Sequence, residues 1–431
     1  MADADTIFAV ASGAGRAAVA VVRISGPQTS GLIARLAGRL PAPRRAVLRT
    51  LRDAEGDVLD QALVLWFPGP RSYSGEDCAE LHLHGGPAVV DGMGERLVGL
   101  GARPAEPGEF TRRAFLHGRM DLVQAEAVAD LVAAETSAQR RQALQQLGGT
   151  LGRVYSRWSE RLLRLLAQQE ALIDFPDEHL PADTESAMLA EIAALREEIA
   201  RHLADDRRGE RLRDGLVFAV VGAPNVGKST LINALAGREA AIVSPQPGTT
   251  RDVLEVRVVL GGAPVTLLDT AGLRETADAI EAEGVRRARA RAQAADLEIL
   301  VQDGSEPACP AGMAARRLVV ASKADLGDTA CEADLRVSAL TGFGMDGLRH
   351  NLERIAGELT GAAGPPALTR ARHRAALTEA VAALARAGGA DLPELRGEDL
   401  RSALMSVGRI TGAFGAEDVL DSVFAQFCIG K

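Results

Sequence analysis

The stretch Gly222-Ala-Pro-Asn-Val-Gly227-Lys228-Ser229 has the spacing G-x-x-x-x-G-K-S and constrains the fold more than any other part of the chain. It follows the apolar run Leu216 to Val221 and opens into Thr230-Leu-Ile-Asn-Ala-Leu-Ala236. The first run reads as a buried strand and the second as a short helix, so the glycines sit at a strand-to-helix turn. Glycines let the backbone wrap a phosphate chain, and N–H groups at the helix start point at its oxygens. Lys228 adds a positive charge, and Ser229 can ligate Mg²⁺. A chance match is the bland reading in a chain with 45 glycines, and the strand-turn-helix context counts against it.

At 431 residues there is room for two to four domains. Hydrophobic residues make up 47% and charged residues 25%, near the globular average. A net charge of −9 gives no long-range field favouring RNA or DNA, so any nucleic-acid contact must use a local patch. Cys78, Cys309, Cys331 and Cys428 lie far apart with no C-x-x-C pair, which argues against a zinc site or a disulfide framework and fits a reducing cytoplasm. No stretch of about twenty apolar residues appears, and the acidic start Met-Ala-Asp-Ala-Asp is unlike a signal peptide. The expectation is a cytoplasmic chain with no membrane span.

From Thr6 to about Leu116, strand-like runs at Ala18 to Ile24, Ala46 to Leu51, Val58 to Phe67 and Cys78 to His84 mix with a helix-like Val89 to Leu100. Asp53-Ala-Glu-Gly-Asp57 is a plausible hairpin loop, and the domain reads as α+β. After Arg119 the texture becomes helical over Asp121 to Gln146, Tyr155 to Ile173 and, beyond the break at Phe175-Pro176, Glu185 to Ala204. Asp205 to Arg213 reads as a charged link. From Leu216 to about Leu359, strands and helices alternate as in a doubly wound α/β domain. Gly361-Ala-Ala-Gly-Pro-Pro366 reads as a linker, with helical periodicity resuming over Arg370 to Ala387 and Glu398 to Ile410. The α/β domain is therefore expected to be inserted into one helical domain built from both flanks.

Four further stretches follow the phosphate loop in order. Gly248-Thr-Thr250 supplies a threonine hydroxyl for a Mg²⁺ shell, and Asp269-Thr270-Ala271-Gly272 ends the strand Val265 to Leu268. Asp269 would lie near the metal and the Gly272 N–H near a γ-phosphate. Ser322-Lys323-Ala-Asp325 follows the strand Leu318 to Ala321, and its carboxylate can accept two hydrogen bonds from a guanine edge. Ser338-Ala339-Leu340 offers N–H groups to the guanine oxygen. In this order they point to a GTPase. The expected GTP-binding set is Asn225, Val226, Gly227, Lys228, Ser229, Thr230, Ser244, Thr249, Thr250, Asp269, Thr270, Ala271, Gly272, Ser322, Lys323, Asp325, Ser338 and Ala339.

The α/β domain resembles a Ras-like translational-factor GTPase. With Pro107-Gly-Glu-Phe-Thr-Arg-Arg-Ala-Phe115, Asp121-Leu-Val-Gln-Ala-Glu-Ala127 and the terminal Phe427-Cys-Ile-Gly-Lys431, the whole chain resembles the MnmE (TrmE) family of tRNA modification GTPases. The resemblance implies a multidomain α/β protein. Residues 1–117 would form a tetrahydrofolate-binding-like α+β domain, 118–212 and 361–431 a discontinuous helical domain, and 213–360 an inserted Ras-like G domain. It also implies a homodimer acting with the FAD-dependent partner MnmG (GidA), as a heterotetramer or larger complex. Together they would attach an aminomethyl or carboxymethylaminomethyl group to carbon 5 of the wobble uridine of certain tRNAs. 5-Formyl- or methylene-tetrahydrofolate would supply the one-carbon unit.

Residue roles follow from the same resemblance. Leu273 stands where Ras-type enzymes carry a water-orienting Gln, and the family gives that task to Glu281 through a bridging water. Glu281, Lys228 and Gly272 form the expected catalytic set. Ser229 and Thr250 would hold Mg²⁺, while Asn225, Ser244, Gln246 and Thr249 would hold K⁺ in place of an arginine finger. Arg23, Glu80, Arg119 and Lys431 fall where the family contacts formyl-tetrahydrofolate. Cys428 is a possible nucleophile or, equally, a small apolar residue of a docked tail. His82 and His84 share a strand face and read as an exposed or hydrogen-bonded pair rather than a metal pair. The arginines of Arg286 to Arg291 spread around a helix and read as a solvated face. Ser322 replaces the usual Asn of the guanine motif, which predicts GTP affinity weaker by about 0.5 to 1.5 kcal/mol. A regulatory or ribosome-assembly GTPase, or a folate sensor, is the competing class.

Overall fold

The computed structural model describes residues 5–13, 15–174, 184–238, 255–269, 292–303, 316–327, 332–361, 367–415, 417–425 and 427–430. The chain divides into two compact units, one made of Met1–Val132, Gln145–His179 and Gly389–Lys431 and the other of Ala133–Leu144 and Leu180–Gly388.

The first unit holds a six-stranded sheet of β1 (Ile7–Val10), β2 (Ala17–Ser25), β3 (Val47–Arg52), β4 (Val58–Phe67), β5 (Cys78–Gly85) and β6 (Arg103–Pro104), in the order β3-β4-β5-β2-β1-β6. All pairs are antiparallel except β1 with β6. Alternation puts Val22, Ile24, Val64, Trp66, Leu81 and Leu83 on one face, where they pack on Leu32, Ile33 and Leu36 of the helix Thr29–Ala37 and Met93 and Leu97 of the helix Pro87–Gly99. Burying each such side chain stabilises the fold by about 1.5–3 kcal/mol. Asp53 and Asp57 close the β3–β4 hairpin, as the sequence predicts, through the Asp53 N–H to the Asp57 carbonyl at 3.0 Å. The α+β reading omitted β1, β6 and the helices Thr29–Ala37 and Glu109–Leu116, all elements of nine residues or fewer, too short to establish a period.

The helix Glu109–Leu116 is fixed by charge. Arg113 is 3% exposed and donates from Nη2 to Glu109 Oε1 at 2.8 Å and from Nη1 to Glu76 Oε2 at 3.2 Å. Arg103 reaches Glu109 Oε1 at 2.6 Å and also binds Asp5. Phe115, Leu122, Ala125, Leu420, Phe424 and Phe427 then form a separate apolar cluster, which docks the C-terminal helix Glu417–Phe424. The long helices Thr150–Asp174 and Pro393–Thr411 pack together, with Gln169 Nε2 donating to the Pro393 carbonyl at 3.0 Å.

Where the periodicity predicts one helix over Asp121 to Gln146, the structure has two, Leu122–Ala133 and Ser137–Leu147. Thr136 and Gln139 form a capping box: Thr136 Oγ1 accepts the Gln139 N–H at 3.2 Å, and Gln139 Oε1 accepts the Thr136 N–H at 3.1 Å. That local satisfaction of N–H groups starts a new helix even though the apolar spacing continues.

The second unit carries β7 (Leu216–Val221), β8 (Glu255–Leu260), β9 (Ala263–Asp269), β10 (Leu297–Asp303), β11 (Arg317–Ser322) and β12 (Leu335–Arg336), in the order β12-β11-β10-β7-β9-β8. Every pair is parallel except β8 with β9. Leu216, Phe218 and Val220 pack with Leu231, Ile232 and Leu235 of the helix Lys228–Arg238 and with Leu348, Leu352 and Ile355 of the helix Met345–Thr360. This is the open α/β sheet expected from the alternation of elements.

The predicted charged link is instead partly helical, over Arg208–Asp214, with Glu210 3% exposed. Arg374, from the helix Ala371–Gly389, donates to Glu210 Oε1 at 2.7 Å, Asp205 Oδ1 at 2.6 Å and the Leu203 carbonyl at 2.8 Å. Asp205 Oδ2 accepts the Leu368 N–H at 3.0 Å. Both connections to the parallel sheet are thereby clamped by one guanidinium.

Candidate functional site

In an open parallel sheet, ligands bind beyond the carboxyl ends of the strands. Those ends carry the phosphate loop after β7, Asp269 on β9, Asp303 on β10 and Ser322 on β11. The chemistry-bearing residues therefore gather along one edge.

Gly222 opens the loop with φ +152, and a β-carbon there would run into the Val301 carbonyl of β10. Asn225 is held left-handed at φ 63. Lys228 is 5% exposed and donates from Nζ to the Gly222 carbonyl at 2.9 Å and the Ala223 carbonyl at 2.7 Å. Burial pushes its pKa below the ordinary lysine value, and the nearby Asp269 carboxylate acts in the opposite direction. Ser229 Oγ donates to Asp269 Oδ2 at 2.6 Å, and Asp269 is 2% exposed. An ammonium curled over its own loop, beside an exposed hydroxyl bonded to a buried carboxylate, is a donor set suited to a phosphate chain with a divalent cation. Val226 and Gly227 complete the loop, and Thr230 lies in the first turn of the helix.

At the other end of the edge, Ser322 is 6% exposed, and its Oγ lies 2.6 Å from the Val226 carbonyl and 3.0 Å from the Gln302 carbonyl, one of which accepts its single proton. Lys323 has φ 56, and its Nζ lies 3.3 Å from Asp303 Oδ2. Asp325 is exposed on the short turn Ala324–Leu326. The Ala324 N–H donates to the Val337 carbonyl at 3.1 Å, which brings Ser338 and Ala339 alongside. Ser338 is buried and accepts the Thr341 N–H on its hydroxyl at 3.2 Å.

In the first unit, Arg23 and Glu80 are paired across β2 and β5, with Arg23 Nη2 and Nε donating to Glu80 Oε1 at 2.9 and 3.2 Å. The Arg23 guanidinium sits 4.9 Å from the Tyr73 ring centroid, and the Tyr73 hydroxyl shares a hydrogen bond with Thr111 Oγ1 at 2.8 Å. Burial raises the Tyr73 pKa above its ordinary value. Tyr73 and Thr111 were missed from the sequence; an aromatic in a Ser- and Gly-rich loop was the available signal. Arg119 is exposed, with its side chain close to Gly75. His84 Nδ1 lies 2.7 Å from Asp60 Oδ1, and His82 Nε2 lies 3.6 Å from Glu80 Oε2. Among the described residues no group of three or more His, Cys, Asp or Glu is arranged to hold a metal ion.

The C-terminal tail docks on the same sheet: Gly430 has φ +96, and a β-carbon on it would meet the Val10 carbonyl. Val10 pairs with Val22, one residue from Arg23. Cys428 is a free and exposed thiol.

Residues 122–428 match the family model described as the MnmE helical domain, and residues 6–119 match that of the GTP-binding protein TrmE N-terminus. The chain is 59% identical to the tRNA modification GTPase MnmE of Gluconacetobacter diazotrophicus over 430 residues, covering 99% of this chain and 98% of that protein. It is 56% identical to the MnmE of Granulibacter bethesdensis over 437 residues, covering 99% of each. The chain belongs to the MnmE family of tRNA modification GTPases.

Of the residues that the MnmE resemblance singles out, Ser244, Gln246, Thr249, Thr250, Thr270, Ala271, Gly272, Glu281 and Lys431 lie outside the described residues. The same holds for Leu273 and for the arginines of 286 to 291. Among the described residues, no helix is long and apolar enough to cross a membrane.

Proposed function

We propose that this chain hydrolyses GTP on the carboxyl edge of its parallel sheet and uses that cycle in modifying the wobble uridine of certain tRNAs together with the FAD-dependent partner MnmG. The observation that carries the nucleotide half is the hydrogen bond from the exposed Ser229 hydroxyl to the buried Asp269 carboxylate, beside the buried Lys228. Lys228 and the N–H groups of the loop bind the β- and γ-phosphates, and Asp325 accepts from the guanine N1 and N2 edge. Mg²⁺, held through Ser229 and Thr250, would neutralise charge on the transferred phosphoryl group. Glu281 positions the attacking water through a bridging water, as the family resemblance implies, in a chain whose Leu273 side chain has no polar atom for the task. Asn225, with Ser244, Gln246 and Thr249, suits K⁺ in the place of an arginine finger, with two G domains of a homodimer meeting there.

The Arg23–Glu80 pair, stacked on Tyr73 and with the C-terminal tail docked nearby, supports a tetrahydrofolate site in the first unit. Arg23 would face a carboxylate, Arg119 and Lys431 would add charge, and Cys428 is the candidate nucleophile. The direct test is GTP turnover in K⁺ against Na⁺ for the wild type and Glu281→Ala. The expected result is K⁺-dependent turnover that the variant loses while still binding GTP. Equal turnover in both salts would remove K⁺ from the mechanism, and normal turnover in the variant would remove Glu281.

A further inference from the structure

We infer that Ser322, at the head of the base-recognition loop, gives the guanine N7 no hydrogen bond, so that guanine nucleotides altered at that atom bind as well as unaltered ones. The inference rests on the reading of Asp325 as the carboxylate that accepts from the guanine N1 and N2 groups.

Guanine presents donors on that edge and two acceptors, O6 and N7, on the other. The acceptors need donors from the protein. Ser322 opens the base-recognition loop, and its hydroxyl carries a single proton. That hydroxyl is buried and lies 2.6 Å from the Val226 carbonyl and 3.0 Å from the Gln302 carbonyl. Both are acceptors, so whichever takes the proton, none remains for a third. What Ser322 can turn toward a base is a lone pair, which N7 does not attract. Lys323 is the neighbouring cation, and its ammonium is drawn to Asp303 at 3.3 Å. The side chain at the head of the loop thus ties the base end of the site to the phosphate loop, through Val226, and gives the base no proton.

A carboxamide at this position would differ in kind, because it has two N–H groups and could keep the Val226 tie while offering the second to N7. A site that hydrogen-bonds an atom rejects an analogue lacking it, whereas a site that ignores the atom does not. Replacing N7 by C–H, as in 7-deazaguanine nucleotides, should therefore cost this chain nothing. The same replacement should cost a Ser322→Asn variant the factor of about two to ten that one hydrogen bond supplies.

The test is equilibrium binding of GDP and 7-deaza-GDP to the full-length wild type and to Ser322→Asn, by displacement of a fluorescent guanine nucleotide. The proposal expects equal affinities for the wild type and a preference for GDP in the variant. A wild-type protein that binds 7-deaza-GDP five-fold or more weakly than GDP would overturn it, with no variant needed. Asp325→Asn separates the inference from the reading beneath it: the change should lower GDP affinity and favour xanthosine diphosphate. Unchanged base preference there would mean that the base lies elsewhere, and the reading would fall together with the inference.

Discussion

Ser229 Oγ donates to Asp269 Oδ2 across 2.6 Å, joining the first turn of the helix after the phosphate loop to the last residue of β9. Two segments 40 residues apart in sequence are thereby held together. Asp269→Asn keeps the size of the side chain and removes its charge. A hydrogen bond to a charged group contributes about 1.5–3 kcal/mol, so Mg²⁺-dependent nucleotide affinity should fall roughly ten- to a hundred-fold. Binding measured in EDTA should change little. Titrations with and without Mg²⁺ check this, and an equal loss in both would mean that Asp269 only supports the fold.

Lys228 predicts a cleaner separation of binding from folding. Its ammonium donates to the Gly222 and Ala223 carbonyls of its own loop, and no apolar cluster depends on it. Lys228→Ala should leave the melting temperature within a few degrees and abolish measurable GTP binding. A variant that retained tight binding would remove the loop from the nucleotide site.

The charge network of the first unit is a stability device. Arg113→Leu would leave Glu109 and Glu76 with a lost partner, and breaking a buried ion pair from one side costs about 3–5 kcal/mol. Burial pushes Glu109 up, but hydrogen bonds from Arg103, the Glu106 N–H and Arg113 outweigh it and hold its pKa below the ordinary glutamate value. A depressed carboxylate contributes stability above its unfolded pKa of about 4.3 that is lost as pH falls through the folded value. Denaturant unfolding of the wild type should therefore lose stability below about pH 4. In Glu109→Gln that acid loss should be smaller, on a lower overall stability.

Arg374 clamps both connections to the parallel sheet, and its partners Glu210 and Asp205 are 3% and 7% exposed. Arg374→Leu should destabilise this unit by about 3 kcal/mol. Hydrogen exchange should rise first in the helix Arg208–Asp214 and around Leu368. Protection unchanged at both places would show that the clamp carries no stability.

Strands such as Val58–Phe67 and Leu216–Val221 were legible because alternating or continuous apolar runs bounded by Gly and Pro leave few other structures open. The break at Thr136 is also written in the sequence, as Thr136-Ser-Ala-Gln139, whose capping-box spacing overrides the continuing apolar periodicity. The helix Arg208–Asp214 was not legible, because its buried Glu210 depends on Arg374, 164 residues away. Tyr73 was hidden in the same way: its role comes from facing Arg23 across the fold. At the candidate nucleotide site, the motif spacing singles out Lys228, Ser229 and Asp269, while the two carbonyls that surround the Ser322 hydroxyl required coordinates. Local chemistry repeats in sequence; distant partners do not.

The central claim is that the nucleotide cycle serves tRNA modification, and mass spectrometry of wobble nucleosides tests it most directly. tRNA would be taken from cells lacking this protein and from the same cells re-expressing the wild type or Lys228→Ala. The account predicts loss of the aminomethyl-type uridine, restored by the wild type and not by the variant. Unchanged nucleosides in the deficient cells would contradict it, and would leave a GTPase whose cycle serves another end.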